Sequence, residues 1–203
     1  MIKGGLSKIE RNFTDAIDVK KLCIDHGLEC LTLMGDIIVD AIKNGNKVMF
    51  CGNGGSAADA QHLAAEMLIR FRPNINRAGM SAIALAQDIS TITACGNDYG
   101  FDQLYERMVQ ALGKEGDVLV AISTSGSSEN IIRAMKQAGE MGISIFGFLG
   151  TGGGVALELC DEAFVVPSDN TARIQEVHIT AGHALMEYVE DCLLNEGFLQ
   201  LQK

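Results

Sequence analysis

Proline is scarce in the 203 residues, standing only at Pro73 and Pro167, and no linker or low-complexity tract interrupts the chain. With 47% hydrophobic and 21% charged residues, that scarcity excludes a disordered chain and leaves an ordinary globular composition. Positive charge is also short, since sixteen basic residues oppose 26 acidic ones for a net charge of −10. Such a balance argues against a surface for nucleic acid or anionic membrane, so an anionic ligand has to be captured locally. No uninterrupted apolar run approaches the roughly 20 residues needed to cross a bilayer, and the opening MIKGGLSKIE has no apolar signal region. The expectation is a cytoplasmic, unanchored protein. Six cysteines (Cys23, Cys30, Cys51, Cys95, Cys160 and Cys192) form no C-x-x-C pair and several fall inside apolar runs, which predicts reduced core thiols.

The length suits one domain spanning 1–203, with a helical arm over 1–45 and an α/β core over 46–203. Apolar positions at helical spacing (Leu22, Leu28, Leu31, Ile38, Ile42) build the arm, with a break at His26-Gly27. Short apolar runs at 47–51, 81–85, 117–123, 144–149 and 163–166 then read as five strands. Helical stretches separate or follow them at 57–70, 101–112, 129–141, 154–159 and 171–195. This alternation predicts an α/β fold, a five-stranded parallel sheet flanked by helices, with ligands at the carboxyl ends of the strands.

Two strand-to-helix turns stand out. CGNGGSAADAQHLAAE, residues 51–66, runs from a strand through glycines and a serine into a helix carrying His62 and Glu66. Glycines admit a ligand close to the backbone, and the first N–H groups of a helix lack internal partners, so this turn suits an anion. The second turn, Ser123-Thr124-Ser125-Gly126-Ser127-Ser128, places five hydroxyls and a glycine between strand and helix. It has no lysine of the GxxxxGK[ST] kind, which argues against a nucleotide-hydrolysing P-loop. As a plain alternative, Ser127 or Ser128 caps the following helix.

His62 and Glu66, spaced i, i+4, emerge on one helix face. Near the C-terminus, TARIQEVHITAGHALME carries Gln175, His178 and His183 on one helix. Gln175 and His183 lie roughly 80° apart around its axis and can address one cavity, with His178 as the competing choice. The plain readings are a solvated pair and a polar helix face.

Together, CGNGGSAADAQHLAAE, CGNDYGF, ISTSGSSENI and RIQEVHITAGH resemble the sedoheptulose 7-phosphate isomerases, the phosphoheptose isomerases of the sugar isomerase (SIS) fold, in order along nearly the whole chain. The resemblance implies a flavodoxin-like five-stranded sheet, homotetramers with active sites at subunit interfaces, and aldose-ketose isomerisation serving ADP-heptose and lipopolysaccharide precursor synthesis. It implies a phosphate loop at Ser123, Thr124, Ser125 and Ser128, an opposing wall of Asn53, Gly54, Gly55 and Ser56, and substrate contacts from Asn97 and Asp98. It implies zinc on His62, Glu66, Gln175 and His183, with Gln175 and Glu66 also reaching substrate and with Glu66 and His183 as the acid-base pair. Some members carry Asp where this chain has Ala172, a position tied to fine substrate fit. Noncatalytic relatives that bind a replication initiator share both loops but tend to lack the groups at Glu66 and His183, which this chain keeps.

Overall fold

A computed structural model describes residues 4–86 and 88–202. Two helices, α1 (Gly5–His26) and α2 (Glu29–Lys43), precede the sheet, and the break between them falls at Gly27, whose φ of 96° suits glycine. The core then alternates β1 (Val48–Gly52), α3 (Gly55–Leu68), β2 (Ala82–Ala84), α4 (Ile89–Asp98), α5 (Leu104–Leu112), β3 (Val118–Ser123), α6 (Glu129–Glu140), β4 (Ser144–Leu149), β5 (Glu162–Val165) and α7 (Thr171–Asn195). All five strands are parallel, in the order β2-β1-β3-β4-β5. That is the flavodoxin-like order.

The side-chain alternation of each strand divides the core. Val48, Phe50, Val118, Val120, Ile122, Phe146 and Phe148 face α2, α3 and α7, while Met49, Cys51, Leu119, Ala121 and Ile145 face α5 and α6. Both faces are covered, so β1 and β3 are buried along their whole length. All six cysteines are free, and Cys51 is sealed so deeply that burial pushes its thiol up to about 12.

Three sequence expectations need correction. The helix α4 was not anticipated: ISTITACGND is rich in β-branched residues, and it is started by the Asp88 carboxylate accepting the Thr91 N–H at 2.7 Å. The helix expected over 101–112 opens with a separate 3₁₀ turn at Phe101–Gln103. The segment Val155–Leu159 is 3₁₀ throughout and follows Gly152, Gly153 and Gly154, all at positive φ. No described helix is long and apolar enough to cross a membrane.

On α1 only Cys23 is buried. Leu6, Ile9, Phe13 and Ile17, three or four residues apart, form an apolar stripe that stands in solvent, with Phe13 71% exposed.

Candidate functional site

With strands ordered 2-1-3-4-5, the chain leaves β1 toward β2 and returns across it to β3, so the crevice at the topological switch point lies beyond the carboxyl ends of β1 and β3. Those two strands are hydrogen-bonded neighbours as far as Gly52 and Ile122. The loops that leave them are the two Gly/Ser turns, and they emerge side by side.

The first loop leads into α3, whose N-cap, Gly54, has φ 56° and offers no side-chain cap. Tyr105 anchors its base by donating its hydroxyl to the Gly52 carbonyl, and burial together with Cys51 pushes that phenol up to about 12, keeping it a donor. A Cβ on Gly55 would stand 2.5 Å from the Gln175 amide nitrogen, so the absence of a side chain there admits α7 to the loop. The second loop is folded on itself. Ser123 is buried and its Oγ accepts the Gly126 N–H at 3.1 Å, while Ser125 Oγ accepts the Ser127 hydroxyl at 3.1 Å. Ser128 sits at the N-cap of α6 without capping it through its side chain. Both helix starts therefore carry first-turn N–H groups uncapped by side chains. Beneath this loop runs a third, glycine-rich segment: a Cβ on Gly126 would lie 1.9 Å from the Gly153 carbonyl oxygen. The Gly126 carbonyl accepts the Ala156 N–H at 2.9 Å.

A reciprocal amide pair ties the loops together. Asn53 Nδ2 donates to Asn130 Oδ1 at 2.9 Å, and Asn130 Nδ2 donates to Asn53 Oδ1 at 2.8 Å. Asn130 is 2% exposed.

The seam between α3 and α7 brings His62, Glu66 and His183 together. His62 Nε2 lies 2.8 Å from His183 Nε2 and 3.5 Å from Glu66 Oε1. Their rings meet edge to face at a centroid distance of 5.1 Å, and Phe71 packs 5.6 Å from the His183 ring. Burial and the neighbouring His62 lower the affinity of His183 for a proton, against the pull of Glu66. Asp59, one turn before His62, has an Oδ2 without a hydrogen-bond partner among the described residues, and burial raises its carboxyl while His62 opposes the rise. The two imidazoles and the carboxylate are donor types that suit zinc. Nitrogens at 2.8 Å are spaced as a hydrogen-bonded pair, whereas two ligands of one tetrahedral zinc stand about 3.3 Å apart. Among the described residues no group of three or more His, Cys, Asp or Glu is arranged as a metal site.

Gln175 lies nearer the start of α7, against Gly55 at the loop end of the seam. His178 faces elsewhere: it is buried, with Nε2 3.0 Å from the Leu149 carbonyl and its ring 5.9 Å from Phe148. Burial lowers its pKa to about 4. Asn97 and Asp98 stand exposed on the last turn of α4, bonded to each other at 2.7 Å, and no hydrogen bond joins them to either loop among the described residues. Ala172, also exposed, donates its N–H to the Asn170 cap of α7.

A second group holds the seam in register. Arg77, wholly buried, donates through Nε to Glu190 Oε1 at 2.6 Å, through Nη1 to the Met67 carbonyl at 3.0 Å and through Nη2 to the Glu66 carbonyl at 2.9 Å. It satisfies carbonyls left open at the end of α3 and fastens them to α7. Arg72 Nε takes the other Glu190 oxygen at 2.6 Å. Sequence reasoning missed these residues. Their signal was Glu190 at a position where Leu185, Met186, Val189 and Leu193 mark an apolar stripe.

Residues 13–150 match the SIS domain family. A phosphoheptose isomerase of Clostridium acetobutylicum is 46% identical over 190 residues, covering 93% of this chain and 96% of the relative. One from Aquifex aeolicus is 46% identical over 186 residues, covering 92% and 96%. The solved structure of a phosphoheptose isomerase from Neisseria gonorrhoeae is similar with a TM-score of 0.86 at 39% identity, covering 92% of this chain and 98% of that one.

Proposed function

The chain belongs to the phosphoheptose isomerases of the SIS-domain family, and from that membership we propose that it converts sedoheptulose 7-phosphate to D-glycero-D-manno-heptose 7-phosphate, toward the heptose of lipopolysaccharide. The convergence of His62, Glu66 and His183 in the seam that begins at the first loop supports the reading.

The phosphate is received by the N–H groups and hydroxyls of Ser123, Thr124, Ser125 and Ser128, facing Asn53, Gly54, Gly55 and Ser56. Asn97, Asp98 and Gln175 supply polar groups to the sugar. Glu66 removes a proton from C1 while His183 gives one to the C2 oxygen, which yields an enediol. Glu66 then returns a proton to C2, and the C1 hydroxyl gives its proton to His183. The aldehyde forms at C1, and both residues end in their starting states. Zinc, when held by His62, Glu66, Gln175 and His183, supplies a Lewis acid for the carbonyl. A carboxylate committed to a metal is a weaker base, so metal content has to be measured together with turnover.

We further propose a cytoplasmic homotetramer acting on a small phosphorylated sugar, without nucleic-acid or membrane partners. The net charge of −10 and the bare apolar stripe on α1 support this. The deciding experiment incubates the purified chain with sedoheptulose 7-phosphate and follows the sugar by NMR, with and without zinc. A heptose 7-phosphate is expected, and its absence under both conditions overturns the assignment.

A further inference from the structure

A buried amide on α6 needs a reason. The inward face of that helix is otherwise built from Ile131, Ile132, Ala134, Met135 and Ala138, and a polar group placed there costs stability unless it is hydrogen-bonded. Asn130 meets that demand with one partner, Asn53, through two hydrogen bonds of 2.9 and 2.8 Å. The partner does not belong to the same element. It sits in the first loop, directly before Gly54 and Gly55, whereas Asn130 follows the second loop by two residues.

Each amide carries two N–H donors and an oxygen with two lone pairs. The reciprocal pair uses one donor and one lone pair of Asn53, pins its amide plane, and leaves a second N–H for a ligand oxygen. It also joins the starts of α3 and α6, the two helices whose uncapped N-termini border the crevice. Without the pair, each loop could take its own position, and part of a ligand's binding energy would go into drawing them together.

We propose that Asn130 is a positioning residue for phosphate recognition: it touches no substrate, acts through Asn53, and sets the gap between the two loops. This rests on the sugar-phosphate reading given above. It makes Asn130 a determinant of KM more than of kcat, because the α3–α7 seam lies on other residues.

The test compares five proteins: wild type, Asn130→Ala, Asn130→Asp, Asn53→Ala and the double Asn53→Ala/Asn130→Ala. Each is titrated with inorganic phosphate, assayed with sedoheptulose 7-phosphate, and melted to report folding. Asn130→Ala is expected to weaken phosphate binding and raise KM about tenfold, the worth of one well-made hydrogen bond, with kcat changed less than about twofold. Asn130→Asp keeps the volume, loses the donor and adds negative charge, so its KM is expected to rise further. In the Asn53→Ala background, Asn130→Ala is expected to change phosphate affinity by less than about twofold. Wild-type affinity and KM in both Asn130 variants would overturn the proposal, as would multiplicative effects in the double variant. A merely structural role lowers the melting temperature without this pattern, and that result overturns it as well. A wild type that binds phosphate but turns over no sugar overturns the isomerase reading alone, while the phosphate titrations still decide the role of Asn130. A wild type that binds no phosphate overturns both.

Discussion

His62 and His183 face each other through their Nε2 atoms at 2.8 Å, one from α3 and one from α7, so one ring donates and the other accepts. The same two atoms are the proposed zinc donors, and the ion and the hydrogen bond are alternatives. The wild-type chain is expected to take up one zinc per protomer, and His62→Ala to weaken that binding on the order of 10²-fold. Competition against a chromophoric chelator measures both, and unchanged affinity in the variant places the metal elsewhere.

Glu66→Gln keeps the shape of the side chain and removes the proposed base. Turnover of sedoheptulose 7-phosphate is expected to fall by about 10²- to 10⁴-fold, with phosphate affinity and melting temperature nearly unchanged. An NMR time course sets the first number, and a variant of full activity excludes Glu66 as the base.

His178 gives the fold a pH dependence. Its pKa is lowered to about 4 by burial, against 6.5 ordinarily, so below pH 6.5 the unfolded chain takes up a proton that the folded ring refuses. This contribution is complete above pH 6.5 and drains away as the pH falls toward 4, about 3 kcal/mol in all. His178→Gln retains a donor for the Leu149 carbonyl and carries no titrating group. Urea midpoints between pH 7 and 4.5 are expected to slope less steeply in the variant, and parallel curves would refute the assignment.

Gly126 has no room for a methyl group, with φ at 60° and the Gly153 oxygen 1.9 Å from where Cβ would stand. Gly126→Ala is expected to cost on the order of 2–5 kcal/mol, from the left-handed backbone and the forced displacement of the loop below. Thermal melting reads the loss, and a wild-type melting temperature would mean that the two loops part without cost.

Phe13→Asp combined with Ile17→Glu places two charges on the bare stripe of α1, where neither side chain serves the sheet. Light scattering is expected to show the proposed tetramer falling to smaller species while circular dichroism keeps its helical signal. An unchanged mass would assign the subunit contact to another face.

The sequence carried the fold far because the parallel strands are short apolar runs buried on both faces, and the helices between them keep a clear period. Residues 89–98 escaped since Ile89, Thr91, Ile92 and Thr93 favour strands, and the Asp88 cap that starts the helix is a local hydrogen bond that no period reports. The loops were legible from their glycines and hydroxyls and the His62–Glu66 pair from its spacing, while only the family resemblance chose His183 over His178. What joins these parts was not. Asn53 meets Asn130 across 77 positions, and Arg77 meets Glu190 across 113, distances at which one sequence offers no pairing signal. Ser123 reads as a ligand hydroxyl, and its oxygen also accepts the Gly126 N–H inside its own loop, a bond that spacing does not report.

Glu66 is held by Arg77 through its main-chain carbonyl, while its carboxylate stands in the seam 3.5 Å from His62 Nε2. The Arg77 bond to that carbonyl does not depend on which side chain occupies position 66. On the proposed mechanism, a single codon change there would turn an isomerase into a receptor for the same sugar phosphate. Catalysis and recognition can thus be inherited, lost or inhibited apart from one another, and a compound shaped only to the loops would not tell the two kinds of protein apart.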